Sequence, residues 1–166
     1  MIIKNQVLNR NNNKPIVWDA FYNSNAIKKP LVIFCHGYKG FKDWGTWNLM
    51  AQSFKDEHLF FVKFNFSHNG GTVKQPIDFP DLDAFAENNY TKELDDLNTV
   101  LDFITAEDFE HASQCDLNDI TLIGHSRGGG IVSIIASEDA RVSKVITLAS
   151  VSDYKARFPR GKEFEK

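Results

Sequence analysis

Apolar residues recur along this chain in two rhythms, one of strands and one of helices. Met1 to Leu8 and Ile16 to Tyr22 read as strands on either side of the polar turn Asn11-Asn12-Asn13, so a hairpin opens the chain. Leu31-Val32-Ile33-Phe34-Cys35 is almost wholly apolar, the pattern of a central parallel strand buried on both faces. Trp47 to Lys55 has helical spacing, and Phe60 to Phe66 has strong β propensity. Between Ser67 and Asn89 lies a stretch too long for a plain connection, either a functional loop or a locally ordered one.

Tyr90 to Ile104 follows as a helix whose Leu94, Leu97, Val100, Leu101 and Ile104 make one apolar face. Ile120 to Gly124 is the next buried strand, Gly129 to Ala136 the helix it feeds, and Val142 to Ala149 the last strand. The tail from Asp153 onward is polar, with no clear strand. Strands alternating with helices predict an α/β fold: a three-layer α/β/α sandwich around a mostly parallel central sheet.

Composition narrows this only a little. A single domain is expected for 166 residues with no Gly/Ser- or Pro-rich divider, and 42% hydrophobic residues suffice for a real core. Formal net charge is -3 and the pI near 5.9, so nothing advertises nucleic acid or an anionic membrane. The charges are mixed in sign and read as solvated surface, Asp95-Asp96 and Asp81 with Asp83 included. No apolar stretch approaches a membrane span and no secretory signal opens the chain. Cys35 and Cys115 form neither a metal pattern nor a disulfide framework, and Cys35 reads as a small buried hydrophobe. A reducing, cytoplasmic setting fits best. Gly70-Gly71-Thr72 lacks phosphate-loop spacing, so neither a nucleotide nor any other cofactor is called for.

The chemistry concentrates where the Ile120–Ile123 strand runs into Gly124-His125-Ser126-Arg127-Gly128. A nucleophile raised above a sheet needs a sharp strand-to-helix turn, and small residues on both sides let backbones approach. The helix that follows would point its amides and positive end at Ser126, favouring developing negative charge. The bland alternative is a Gly-rich turn in which Ser126 merely caps a helix. His36-Gly37-Tyr38-Lys39-Gly40 follows the earlier buried strand, where a loop must supply one oxyanion donor. The backbone amides of Tyr38 and Arg127 are therefore the expected oxyanion donors, and Ser126 the expected catalytic nucleophile. Phe79, Phe85 and Tyr90, in or beside the long loop, are candidates to line an acyl pocket, while Phe60, Phe61, Phe64 and Phe66 read as sheet core.

In Leu31 to Gly40, Phe61 to Gly71 and Ile120 to Gly129 the chain resembles the α/β-hydrolase superfamily, and element order follows it throughout. The run His-Gly-Tyr-Lys-Gly-Phe-Lys-Asp looks most like the dienelactone-hydrolase, cinnamoyl-esterase and prolyl-oligopeptidase-like branches. The resemblance implies hydrolysis of a small-molecule carboxylic ester or related acyl substrate through a Ser-acid-His triad. It also implies about six strands of a usual eight.

The departures are as informative. All five histidines, His36, His58, His68, His111 and His125, precede Ser126. His125 adjoins the serine on a tight turn and should point elsewhere, His36 should orient the oxyanion loop, and His58 and His111 read as surface. His68 is the one non-standard candidate base. Acid candidates after the serine are Glu138, Asp139, Asp153, Glu163 and Glu165, with Asp153 either the acid or a plain loop residue. Val142 to Ala149 is too apolar for a comfortable free edge, so two further strands should cover it. The expectation is that these residues form the N-terminal part of a longer hydrolase. The competing reading is a non-catalytic module of the same fold that binds a ligand or a partner.

Overall fold

The computed structural model describes residues 1–153; residues 154–166, with Glu163 and Glu165, lie outside the described residues. Its six strands are β1 (Ile2–Leu8), β2 (Ile16–Phe21), β3 (Lys29–Cys35), β4 (Phe60–Phe64), β5 (Cys115–His125) and β6 (Val142–Leu148). They form one open sheet in the order β1-β2-β4-β3-β5-β6. The opening hairpin is antiparallel and joins β4 antiparallel, whereas β4, β3, β5 and β6 run parallel. The mostly parallel α/β sandwich expected from the alternation is the architecture found.

The helices are α1 (Trp47–Asp56), α2 (Leu82–Ala86), α3 (Tyr90–Thr105) and α4 (Arg127–Glu138). One face of the sheet packs α3 and α4 in a core that includes Leu97, Leu101, Ile131 and Ile135. The other face is a smaller cluster in which Ala51, Met50 and Phe54 of α1 meet Phe21, Phe34 and Phe61. β3, between β4 and β5, is buried at every position but Pro30, as its continuous apolar run requires. Phe60, Phe61, Phe64 and Phe66 are sheet core. No helix among the described residues is long and apolar enough to cross a membrane.

Two strand boundaries differ from the sequence reading, and the long loop takes one of its two expected forms. β5 starts at Cys115 because Lys29 and Pro30 pair with Cys115 and Asp116 before a register shift resets the ladder. β4 stops at Phe64; the Asn65 amide still donates to the Val17 carbonyl at 2.9 Å, and its side chain accepts from the Lys42 amide and donates to the Pro76 carbonyl. The long loop is locally ordered: Asp81 caps α2 by accepting from the Ala84 amide, and Asn89 caps α3 by accepting from the Lys92 amide.

The reading of charges as surface fails at specific positions. Asp19, Lys29, Lys42, Lys63, Glu93 and Asp96 are all buried. Asp96 is held by Arg10 and by the Ser67 amide and hydroxyl, while its neighbour Asp95 is exposed. Burial of a charge demands a partner, and each finds one from a distant segment. Asp81 also leaves solvent partly, through an ion pair of 2.6 Å with Lys14.

Candidate active site

β5 ends at His125 and α4 begins at Arg127, so one residue, Ser126, makes the whole turn. Its backbone sits at φ 53° and ψ -115°, a conformation that costs an L-residue about 1–3 kcal/mol and needs support from its surroundings. That support is visible. The Ser126 amide donates to the Leu148 carbonyl at 2.9 Å, and its own carbonyl accepts from the Gly129 and Val151 amides.

The flanking glycines are required by contact. A Cβ on Gly124 would lie 2.3 Å from the Gly128 carbonyl oxygen, and one on Gly128 would lie 2.4 Å from that of His36. Strand, turn and helix can therefore close around Ser126 only with no side chain at either position. The loop after β3 passes directly over the turn, since a Cβ on Gly37 would come within 3.0 Å of Ser126 Cβ.

A pocket of about 390 Å³ opens there, lined by Tyr38, Phe85, Asn88, Tyr90, Ser126, Arg127 and, at its edge, Ala86 and Val151. The structure thus brings Ser126, Tyr38 and Arg127 together, as the sequence reading required. Phe85 and Tyr90 line the pocket, whereas Phe79 stands behind Phe85 and packs on it edge to face. Among the described residues the amides of Tyr38 and Arg127 donate to no acceptor, and Ser126 Oγ makes no hydrogen bond. Arg127 lays its guanidinium on the Tyr90 ring at 4.1 Å and ties Nε to Glu93 Oε2 at 2.7 Å. The other Glu93 oxygen accepts from Asn88. Burial raises the Glu93 carboxyl above its ordinary value despite Arg127. Arg127 Nη2 and Asn88 Oδ1 are buried without a partner among the described residues.

The loop bearing Tyr38 is fixed from beneath by charges that the sequence reading missed. Lys42 donates to Asp19 at 2.7 Å and to Asp43 at 2.6 Å; Lys63 donates to both aspartates as well. Asp19 and Lys63 stand directly opposite each other on β2 and β4. Burial would raise the Asp43 carboxyl, but hydrogen bonds from Lys42 and Lys63 hold it well below the usual carboxylate range. His36 completes the anchor. Its Nε2 accepts from the Phe66 amide and its Nδ1 bonds the Gly37 carbonyl at 2.8 Å, while burial brings its pKa down to about 4. It is a neutral strut, in keeping with the orienting role expected of it.

None of the other histidines lines the Ser126 pocket. His125 packs its ring on Trp47 at 5.2 Å. His58 is exposed, but His111, read as surface, is partly buried among the rings of Tyr22, Phe60 and Phe109. His68 bonds Ser67 Oγ at 2.8 Å, and burial, with the charges of Lys92 and Lys14, lowers its pKa. It does not line the Ser126 pocket. Of the acid candidates, Asp139 is paired with Arg141, and with Glu138 it sits at the far end of α4 from Ser126. Asp153 is exposed where the described residues end.

This fold recurs among solved structures. The chain has the α/β-hydrolase fold. It is similar to alpha/beta hydrolase domain-containing protein 10 from mouse, at 20% identity and a TM-score of 0.64, covering 87% of this chain and 49% of that one. A Lactobacillus plantarum protein named as a carboxylesterase matches at 19% identity and a TM-score of 0.66, covering 98% of this chain and 65% of its own. Est1E from Butyrivibrio proteoclasticus matches at 18% identity and a TM-score of 0.63, covering 90% and 50%. The chain therefore spans about half the length of the mouse and Butyrivibrio proteins. No protein-family model and no curated protein sequence matches it.

Proposed function

We propose that this chain carries the nucleophile and oxyanion-binding half of a serine hydrolase acting on carboxylic esters or related acyl compounds. The observation that carries the reading is the strained Ser126 backbone, held between β5 and α4 with Oγ uncommitted beside two unused amides. Such strain persists where the surroundings impose it, and a nucleophile elbow is a known reason for imposing it.

In this reading Ser126 Oγ attacks the acyl carbon and loses its proton as the new bond forms. The carbonyl oxygen gains the negative charge and accepts from the Tyr38 and Arg127 amides, with the positive end of α4 behind them. On collapse the leaving oxygen takes that proton from the base and departs as the alcohol, leaving an acyl-serine that water, deprotonated by the same base, cleaves to the acid and free Ser126. Each such donor is worth about 2.7–4 kcal/mol in the transition state. The acyl or alcohol group would rest among Tyr38, Phe85 and Tyr90.

The proton acceptor is the unmet requirement. Every histidine of the sequence precedes Ser126, and none lines its pocket. A serine without its base loses on the order of a million-fold in turnover, roughly 8 kcal/mol. The base and its acid would come from sequence beyond this chain, completing the N-terminal part present here, or from a second chain.

A fluorophosphonate probe tests the proposal. Applied to this chain and to the product of its gene read past codon 166, it should label Ser126 slowly in the first and rapidly in the second. Ser126→Ala should abolish both, and the added sequence should contain an Asp followed by a His. Failure of the longer protein to label at Ser126 would leave the non-catalytic module as the better reading. That alternative draws on the lack of histidine around the pocket. A stoichiometric complex in native mass spectrometry would instead favour completion by a partner.

A further inference from the structure

A second cavity of about 390 Å³ shares no lining residue with the Ser126 pocket. It lies between the β1–β2 turn, the end of β4 and the loop that follows Asn69, and its volume falls within the range of ordinary small-molecule sites. Pro15, Val17, Phe66 and Val73 give it an apolar wall. Its floor is polar and buried, made by Asn65, Ser67 and Asn69.

The polar groups of that lining are weighted towards donors. Asn65 Oδ1 already accepts from the Lys42 amide at 2.7 Å, and Asn69 Oδ1 from the Gly71 amide at 2.9 Å. Thr72 Oγ1 accepts from Gln75, and the two Asp81 oxygens take the Ala84 amide and the Lys14 ammonium. Each of these oxygens already holds one hydrogen bond, and Ser67 Oγ is engaged by Asp96 and His68. The larger surplus is of donors, most of it on ammonium groups. The Asn65 amide nitrogen has two hydrogens and one acceptor, Pro76; that of Asn69 likewise has one, Gly40. Lys74 makes no ion pair among the described residues, and Lys14 keeps N–H groups beyond the one given to Asp81. Two lysines and one aspartate leave the lining one positive charge in excess.

Spare donors, an excess positive charge and aliphatic walls together specify an anion with an apolar body. We infer that this cavity binds a monocarboxylate carrying a compact aliphatic chain. The carboxylate would take the spare amide hydrogens and the lysine ammonium groups while the chain lies against Val17, Phe66 and Val73. The floor is held in advance by its bonds to backbone, so little ordering is required on binding. This inference does not depend on the reading of Ser126.

Titration of the ¹⁵N-labelled chain with octanoate, octanol and octylamine tests it. Octanoate should give saturable shifts at the amides of Asn69, Thr72 and Lys74. Octanol should bind about tenfold or more weakly, as loss of hydrogen bonds to charged groups requires, and octylamine should not bind. Lys74→Met, and more strongly Lys14→Met with Lys74→Met, should weaken octanoate while the remaining spectrum keeps its dispersion. Ser126→Ala should leave octanoate binding unchanged. Equal affinity for octanol, shifts centred on Tyr38 and Arg127, or no saturable shift would each overturn the assignment.

Discussion

The segments bearing Tyr38 and Arg127 flank the same serine, yet opposite electrostatics hold them. Beneath the Tyr38 loop, Lys42, Lys63 and Asp19 are completely buried and satisfy one another across three segments, with Asp43 held firmly ionised. At Arg127, the partner Glu93 is buried enough that its carboxyl is pushed up instead of down, and the guanidinium spreads over an aromatic ring at the pocket mouth. The first arrangement only works when every charge is present. The second depends less on full charge, because burial already disfavours the ionised form of Glu93.

The largest effect should come from breaking the rigid side. Asp19→Asn leaves two buried lysines sharing Asp43, and loss of one member of a buried pair costs about 3–5 kcal/mol. Glu93→Gln should cost less, about 1.5–3 kcal/mol, the worth of a hydrogen bond to a charged group, since the amide oxygen can still accept from Arg127. Urea unfolding of both variants at neutral pH measures the contrast. Equal losses would mean that the two sides are held alike.

Much of this difference was hidden in sequence for a physical reason. β3, β5 and the glycines at 124 and 128 were legible because their signals are local: an apolar run, then small residues at fixed distance from a serine. The Asp19–Lys63 pair and Lys42 come from segments more than twenty residues apart, and nothing local marks them as partners. One signal was available. The buried positions of α3 run Glu93, Asp96, Leu97, Val100, Leu101, Ile104, so the two acids continue the apolar stripe at helical spacing. A carboxylate on the inward stripe announces a buried partner. Of the site, the serine and its flanking loop could be read, but the support beneath them could not.

A smaller effect distinguishes the two sides by pH. His36 has a folded pKa of about 4 against an ordinary 6.5, so the folded protein binds fewer protons than the unfolded chain between those values. Its contribution is fully present above pH 6.5 and is lost as pH falls toward 4, by roughly 3 kcal/mol in all. Glu93 works in the reverse sense, since a raised carboxyl binds extra protons in the folded state. The His36 share is therefore read as the difference between the native protein and His36→Asn, measured at intervals from pH 7 to 4. A difference that does not change over that window would show that His36 is not held neutral in the fold.

The smallest expected effect falls on Ser126 itself, where the two sides meet. Its φ of 53° and ψ of -115° suit glycine, so Ser126→Gly should relieve part of the roughly 1–3 kcal/mol of strain. Against this stands the extra freedom glycine gives the unfolded chain, roughly 0.5–1 kcal/mol. The balance should be a stabilisation of about 1 kcal/mol. Ser126→Ala removes the same hydroxyl but keeps Cβ, and with it the strain, so it should leave stability nearly unchanged. The comparison of the two variants isolates backbone strain from loss of the side chain. A gain confined to glycine would mean that the fold spends stability to hold Ser126 in place. Equal values would mean that the turn is relaxed, and the strongest support for an active serine would be gone.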